Sequence, residues 1–183
     1  MNIKLQHCKR EDYIKAWNFM YFADKNKWNK NPIFDGVNPS LNKTALATET
    51  DNFCIVAFDA DKKTKEFKQG FPVGVFSFVV TPAKIIGKQF VVAPDYHKQG
   101  IGTAMILELE NELIKNGYEK YYIGCSQFSA KIYKNRFGLE PFSSSVEHDM
   151  YKFNVDLKRS EFKSQYKKYV KDMKFHIAKQ KKS

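Results

Sequence analysis

The residues best suited to chemistry are Gly100 and Gly102, in the stretch VVAPDYHKQGIGTAMILELENELIKNG from Val91 to Gly117. They close a basic loop that follows an apolar run and a proline, and they lead directly into a helical pattern. A helix start presents backbone N–H groups that no preceding carbonyl satisfies, together with partial positive charge, so a tight loop feeding it is a natural phosphate cradle. Glycine lets the backbone approach an anion with no Cβ in the way. A lone G-x-G also serves as a plain strand-to-helix turn, so spacing has to discriminate. A Walker loop requires GK[ST] after four intervening residues, which this loop lacks. The dinucleotide fingerprint requires a third glycine where Met105 stands and an early parallel βαβ unit. Neither fits.

The elements that must hold this loop are legible from periodicity. NIKLQHCK reads as a first strand and EDYIKAWNFMYFADK as a helix with an aromatic face. Asn26 to Thr50 is polar and punctuated by Pro32, Gly36 and Pro39, which predicts a long loop with at most a short helix. NFCIVAFDA and FPVGVFSFVV form a hairpin around a charged turn, and KIIGKQFVV is the next strand, ended by Ala93-Pro94. From Thr103 to Asn116, apolar Ile106, Leu109 and Leu113 mark an amphipathic helix that stops at Gly117. YEKYYIGCS is a strand, SAKIYKNRF a short helix ending at Gly138, and LEPF opens a last strand region that DMYKFNV completes. The pattern is an antiparallel meander followed by β-α-β-α-β, an α+β or mixed α/β fold.

The chain has 183 residues, room for one domain with a proper core. We divide it into a domain over residues 1–157 and a basic amphipathic tail over 158–183. Of the net charge of +11, the tail carries +8, from ten Lys or Arg against Glu161 and Asp172, and the domain only +3. Lysine supplies 28 of the 31 basic residues beside abundant Asn, Phe and Tyr, so part of the excess is consistent with codon bias. No long apolar window and no signal-like N-terminus is present, and the expectation is a cytoplasmic protein without a membrane span. Cys8, Cys54 and Cys125 are odd in number with no CxxC pair, which argues against a disulfide framework or a zinc site.

Val92, Pro94, Tyr96, Gly100, Ile101 and Gly102 match the motif V-x-P-x-Y-[RQ]-x-x-G-x-[GA], and AKIYKNRFGL (Ala130–Leu139) echoes A-x-x-F-Y-x-K-x-G-F. With the right strand before and the right helix after, the region from Phe53 to Phe142 resembles the GNAT superfamily of N-acetyltransferases. The resemblance implies that acetyl-CoA is the co-substrate, that no metal takes part, and that the strand through Phe90, Val91 and Val92 pairs with the pantetheine arm. It also implies that the loop and helix start at His97, Lys98, Gln99, Gly100, Ile101, Gly102 and Thr103 hold the pyrophosphate, with Lys134 a further cofactor contact. The activity implied is direct attack of a neutral amine on the thioester, with an oxyanion donor among the strand N–H groups near Val92.

Three positions depart from the family pattern. His97 stands for Arg or Gln, and Lys98 for a frequent Gly; both keep the cradle polar or cationic. Lys134 stands where many relatives carry the tyrosine that protonates the leaving thiolate, and Tyr133 is one residue earlier. One residue is about 100° of helical rotation, so the two do not simply trade places. Tyr133 and Ser126 are both candidates for the donor, with water a third, and core packing is an equal reading of Tyr133. No Asp or Glu in KIIGKQFVV offers a general base, which leaves a water chain.

The resemblance places the acceptor near Trp17 to Asn38, with Trp28, Phe34 and Asp35 as contacts. In the tail, Phe162, Tyr166, Tyr169, Met173 and Ile177 fall on one helical face, with lysines elsewhere. Such a helix docks on the sheet or on a neighbouring subunit, serves as an arm for RNA or DNA, since lysines neutralise phosphates and aromatic rings stack on bases, or, as a weaker third option, lies on a membrane surface. The functions that remain open are acetylation of a small or protein amine, a nucleic-acid-associated member of the fold acting on aminoacyl-tRNA or a base, and a non-catalytic acyl-CoA-binding module.

Overall fold

The first five strands lie side by side in sequence order, and the order breaks only beyond the fifth, which pairs with the seventh, and at the first, which the last strand joins. The computed structural model describes residues 1–23, 51–145, 150–159, 161–172 and 176–178. β1 (Ile3–Cys8) leads into α1 (Arg10–Ala23), and β2 (Asp51–Asp59), β3 (Phe71–Val80) and β4 (Ile85–Val92) form the meander. A 3₁₀ turn at Pro94–Tyr96 precedes α2 (Ile101–Lys115), followed by β5 (Lys120–Cys125), α3 (Gln127–Phe137), β6 (Ser143–Ser145) and β7 (Met150–Asp156). α4 (Phe162–Asp172) and β8 (His176–Ala178) complete the order. One mixed sheet runs β6-β7-β5-β4-β3-β2-β1-β8, with β4–β5 and β1–β8 parallel and the other pairs antiparallel.

Strand alternation assigns the two faces. A Cβ on Gly74 would come within 2.9 Å of the Met105 sulfur of α2, so Gly74 and its register partner Ala57 face that helix. Phe58, next along β2, points the other way to Phe67, which also packs on Phe19 of α1. Thus α1 covers one face and α2 the other. α3 lies beside α2, with Tyr133 stacked on Phe153 of β7 at 5.2 Å between ring centroids. No helix among the described residues is long and apolar enough to cross a membrane.

The apolar stripe of α2 is buried as expected, but so are two of its carboxylates, Glu108 and Glu110. Each has dedicated partners, as a buried charge requires. Glu110 accepts from the Arg159 guanidinium and from the Tyr121 hydroxyl at 2.7 Å. Burial still pushes its carboxyl above the ordinary range, against the pull of Arg159. Glu108 accepts from the Tyr166 hydroxyl at 2.6 Å and lies 3.1 Å from His7 Nε2. These contacts tie β1, α2 and α4 together.

Two expectations are corrected. Leu139 to Phe142 is not a strand; β6 begins at Ser143, after Pro141, and the Phe142 N–H donates to the Lys152 carbonyl at 2.9 Å. The single amphipathic helix expected to reach Ile177 ends at Asp172, and Ile177 instead pairs with Leu5 as part of β8. β1 would otherwise leave a row of ladder groups exposed at the sheet edge, and β8 takes them up. Met173 and the expected loop over Asn26 to Thr50 lie outside the described residues.

Candidate active site

The site begins as a defect in the sheet. β4 and β5 pair only at Ile86–Tyr122 and Gly87–Ile123, although both strands continue. Just past Gly87, two β4 residues, Lys88 and Gln89, oppose the single Ser77 of β3, a bulge that bends β4 away from β5. Ala93 donates to the Val73 carbonyl at 2.8 Å, so in this antiparallel ladder Ala93 and Val91 bond toward β3 while Phe90 and Val92 turn their backbone groups the other way, into the gap. The gap is a cleft of about 1010 Å³. Its lining includes Ile123 and Cys125 from the α2 face and Gly124 and Met150 from the α1 face, so it is a slot through the sheet.

At the outer end of the slot stands the start of α2. Its N-cap, Gly100, has φ of +80° and makes no side-chain cap, so the N–H groups of Ile101, Gly102 and Thr103 are presented without one. Lys98 also has φ of +59°, a region that costs a non-glycine residue roughly 1–2 kcal/mol. That geometry accounts for a glycine being frequent at this place in the motif. Tyr96 anchors the turn by donating to buried Asp59 at 2.8 Å. Lys88, His97, Lys98, Lys131 and Arg136 all line the slot, and no Asp or Glu does so among the described residues. An uncapped helix start, a cationic rim and an unpaired strand edge together suit an extended ligand that is anionic at one end.

The model of the acetyltransferase (GNAT) family matches residues 6–139. The chain belongs to that family. GNAT structures reproduce the fold. A GNAT acetyltransferase from Staphylococcus aureus Mu50 has 16% identity and a TM-score of 0.55 over 85% of this chain and 99% of its own. The ribosomal-protein-S18-alanine N-acetyltransferase of Escherichia coli has 13% identity and a TM-score of 0.57 over 86% and 96%. A PaiA N-acetyltransferase from Thermoplasma acidophilum, in complex with coenzyme A, has 13% identity and a TM-score of 0.52 over 85% and 99%. No curated protein matches the chain.

Within this GNAT domain, Phe90, Val91, Val92, His97, Lys98, Gly100, Ile101, Gly102, Thr103 and Ser126 all line the slot. The His97 ring turns back to the strand, its Nε2 donating to the Val92 carbonyl at 2.7 Å. Gln99 and Lys134 are not brought to the slot: Gln99 donates to the Asp95 carbonyl at 3.0 Å, and Lys134 pairs with Glu140 at 3.4 Å. Tyr133 is not brought there either. It is fully buried against Phe153 and Phe137, its hydroxyl is turned toward Tyr121 in the core, and burial keeps its phenol well above the ordinary tyrosine range. α3 turns Ser129, Ile132 and Arg136 to the slot instead, at helical spacing. Sequence reasoning missed these three, together with Gly87, Gly124 and Met150. Trp17 is buried, and Trp28, Phe34 and Asp35 lie outside the described residues.

Proposed function

We propose that the chain transfers an acetyl group from acetyl-CoA to a primary amine of a small molecule or a protein, by direct attack of the neutral amine on the thioester. The observation that carries this reading is the slot, in which an unpaired strand edge leads from an uncapped helix start. Pyrophosphate suits the N–H groups of Ile101, Gly102 and Thr103 beside Lys98, and the amides of a pantetheine arm suit the edge groups of Phe90 and the N–H of Val92, whose carbonyl the His97 ring already engages. The amine enters from the α1 face, and a β4 N–H receives the developing oxyanion. With no carboxylate among the lining residues described, the amine proton leaves through water. Ser126, on the slot, is our first choice as donor to the departing thiolate, and Tyr133 the second.

Acetyl-CoA turnover against panels of amines, peptides and charged tRNA tests this. Ser126→Ala should lower kcat by roughly 100-fold, the scale of a lost proton donor, with acetyl-CoA affinity retained. Tyr133→Phe should stay close to wild type, since its hydroxyl is buried away from the slot. The reverse ranking would assign the proton to Tyr133. Donor binding with no turnover on any acceptor would favour a non-catalytic acyl-CoA-binding module.

A further inference from the structure

We propose that Ile123 and Met150 form an acyl-size filter that closes the inner end of the slot, so that it admits an acetyl group and rejects longer acyl chains. The inference rests on the acyl-CoA reading above and sets its donor specificity. With phosphates held at the start of α2, the outer end, the acyl end of the donor reaches the inner end, where β4 and β5 regain register at Gly87 and Ile123. That end is built from two glycines, each covered by a bulky side chain of a neighbouring strand. On the α2 face, a Cβ on Gly87 would stand 2.9 Å from Ile123 Cδ1 and 3.1 Å from its Cγ1. On the opposite face, a Cβ on Gly124 would stand 3.1 Å from Met150 Sδ. All four residues line the slot.

The two covers differ in stiffness. Ile123 is β-branched and 3% exposed, so it has little freedom to move aside. Met150 is unbranched and 39% exposed, and a thioether chain adapts its shape readily. The filter is therefore rigid on the face of α2 and adjustable on the face from which the amine comes. A well-packed apolar wall that cannot yield excludes added methylenes sharply, because overpacking forces side chains off their rotamers. Discrimination on the scale of about 10- to 200-fold per methylene is what an apolar pocket delivers.

Calorimetric affinities for acetyl-, propionyl- and butyryl-CoA test this without an acceptor. The wild type should bind butyryl-CoA at least about tenfold more weakly than acetyl-CoA. Met150→Ala and Ile123→Ala should each reduce that ratio by about tenfold or abolish it. Because Ile123 is in the core, Ile123→Val serves where the alanine variant does not fold, with a smaller shift in the same direction. Equal affinity of the wild type for acetyl- and butyryl-CoA, or an unchanged ratio in Met150→Ala and Ile123→Val, overturns the filter and leaves the donor reading intact. Failure of the wild type to bind any acyl-CoA overturns the donor reading, and the filter with it.

Discussion

Replacing Gly102 with alanine should weaken acetyl-CoA binding without unfolding the protein, and the structure says how. A Cβ at Gly102 would lie 2.9 Å from Cζ of Phe90 and 3.5 Å from Cδ1 of Ile132. Carbon atoms pack best at about 3.5–4.0 Å, so the Phe90 ring has to retreat by roughly 0.6–1 Å. Phe76 stands behind it at 4.7 Å between centroids, which leaves the slot as the way out. Overpacking of this kind costs about 1–3 kcal/mol. If the ring relieves the clash by leaning into the slot, the donor has to push it back, and affinity falls by about 5- to 150-fold. The helix itself loses little, because alanine is preferred over glycine there by up to about 1 kcal/mol. Calorimetry with acetyl-CoA, beside a melting curve, reads both quantities. The double variant Gly102→Ala/Phe90→Leu should recover most of the affinity, since a smaller side chain relieves the contact. Unchanged affinity in the single variant would refute the reasoning. Loss that persists in the double variant would show that the glycine serves the ligand and not Phe90.

Arg159→Ala should strand the carboxylate of Glu110 in the core and cost about 3–5 kcal/mol, or roughly 6–20 °C in Tm, read by denaturant and thermal unfolding. Since burial raises the Glu110 carboxyl above its unfolded value, its contribution is full below that value and is lost as pH rises through the folded one; removing Arg159 should steepen the loss from mildly acid to neutral pH, and equal stability of variant and wild type would refute the pairing. On α4, Lys163, Lys167 and Lys168 are exposed, and reversing them to Glu should leave acetyl-CoA turnover unchanged. If the wild type binds tRNA with a salt dependence that this triple variant loses, the tail acts as a nucleic-acid arm.

How much of this was legible depended on the range of the interactions that decide each feature. The β4-loop-α2 unit is written locally, in an apolar run, Ala93-Pro94, and glycines whose backbone requirements are their own; Gly100 has φ of +80°. Helix α2 starts at Ile101, two residues before the apolar stripe suggested, because the turn at Gly100 sets its start. The slot is different, since it arises from the register of β4 against both β3 and β5, and no window of sequence contains that pairing. Isolated glycines within strands do mark bulges or close approach, and Gly87 and Gly124 carried that signal. On α3, a rotation of about 100° per residue sends Tyr133 to the core, Lys134 toward Glu140, and Ile132 and Arg136 to the slot. The motif located the helix but could not give its roll about its own axis, which Phe153 and Gly102 set from other elements. Burial of Glu108 and Glu110 was hidden for the same reason, because their partners His7, Tyr121, Arg159 and Tyr166 are scattered along the chain and meet only across the folded sheet. The tail follows this logic too: its periodicity continues past Asp172, but an open edge at β1 offers Ile177 a strand partner in Leu5, and that long-range pairing overrides a helical pattern.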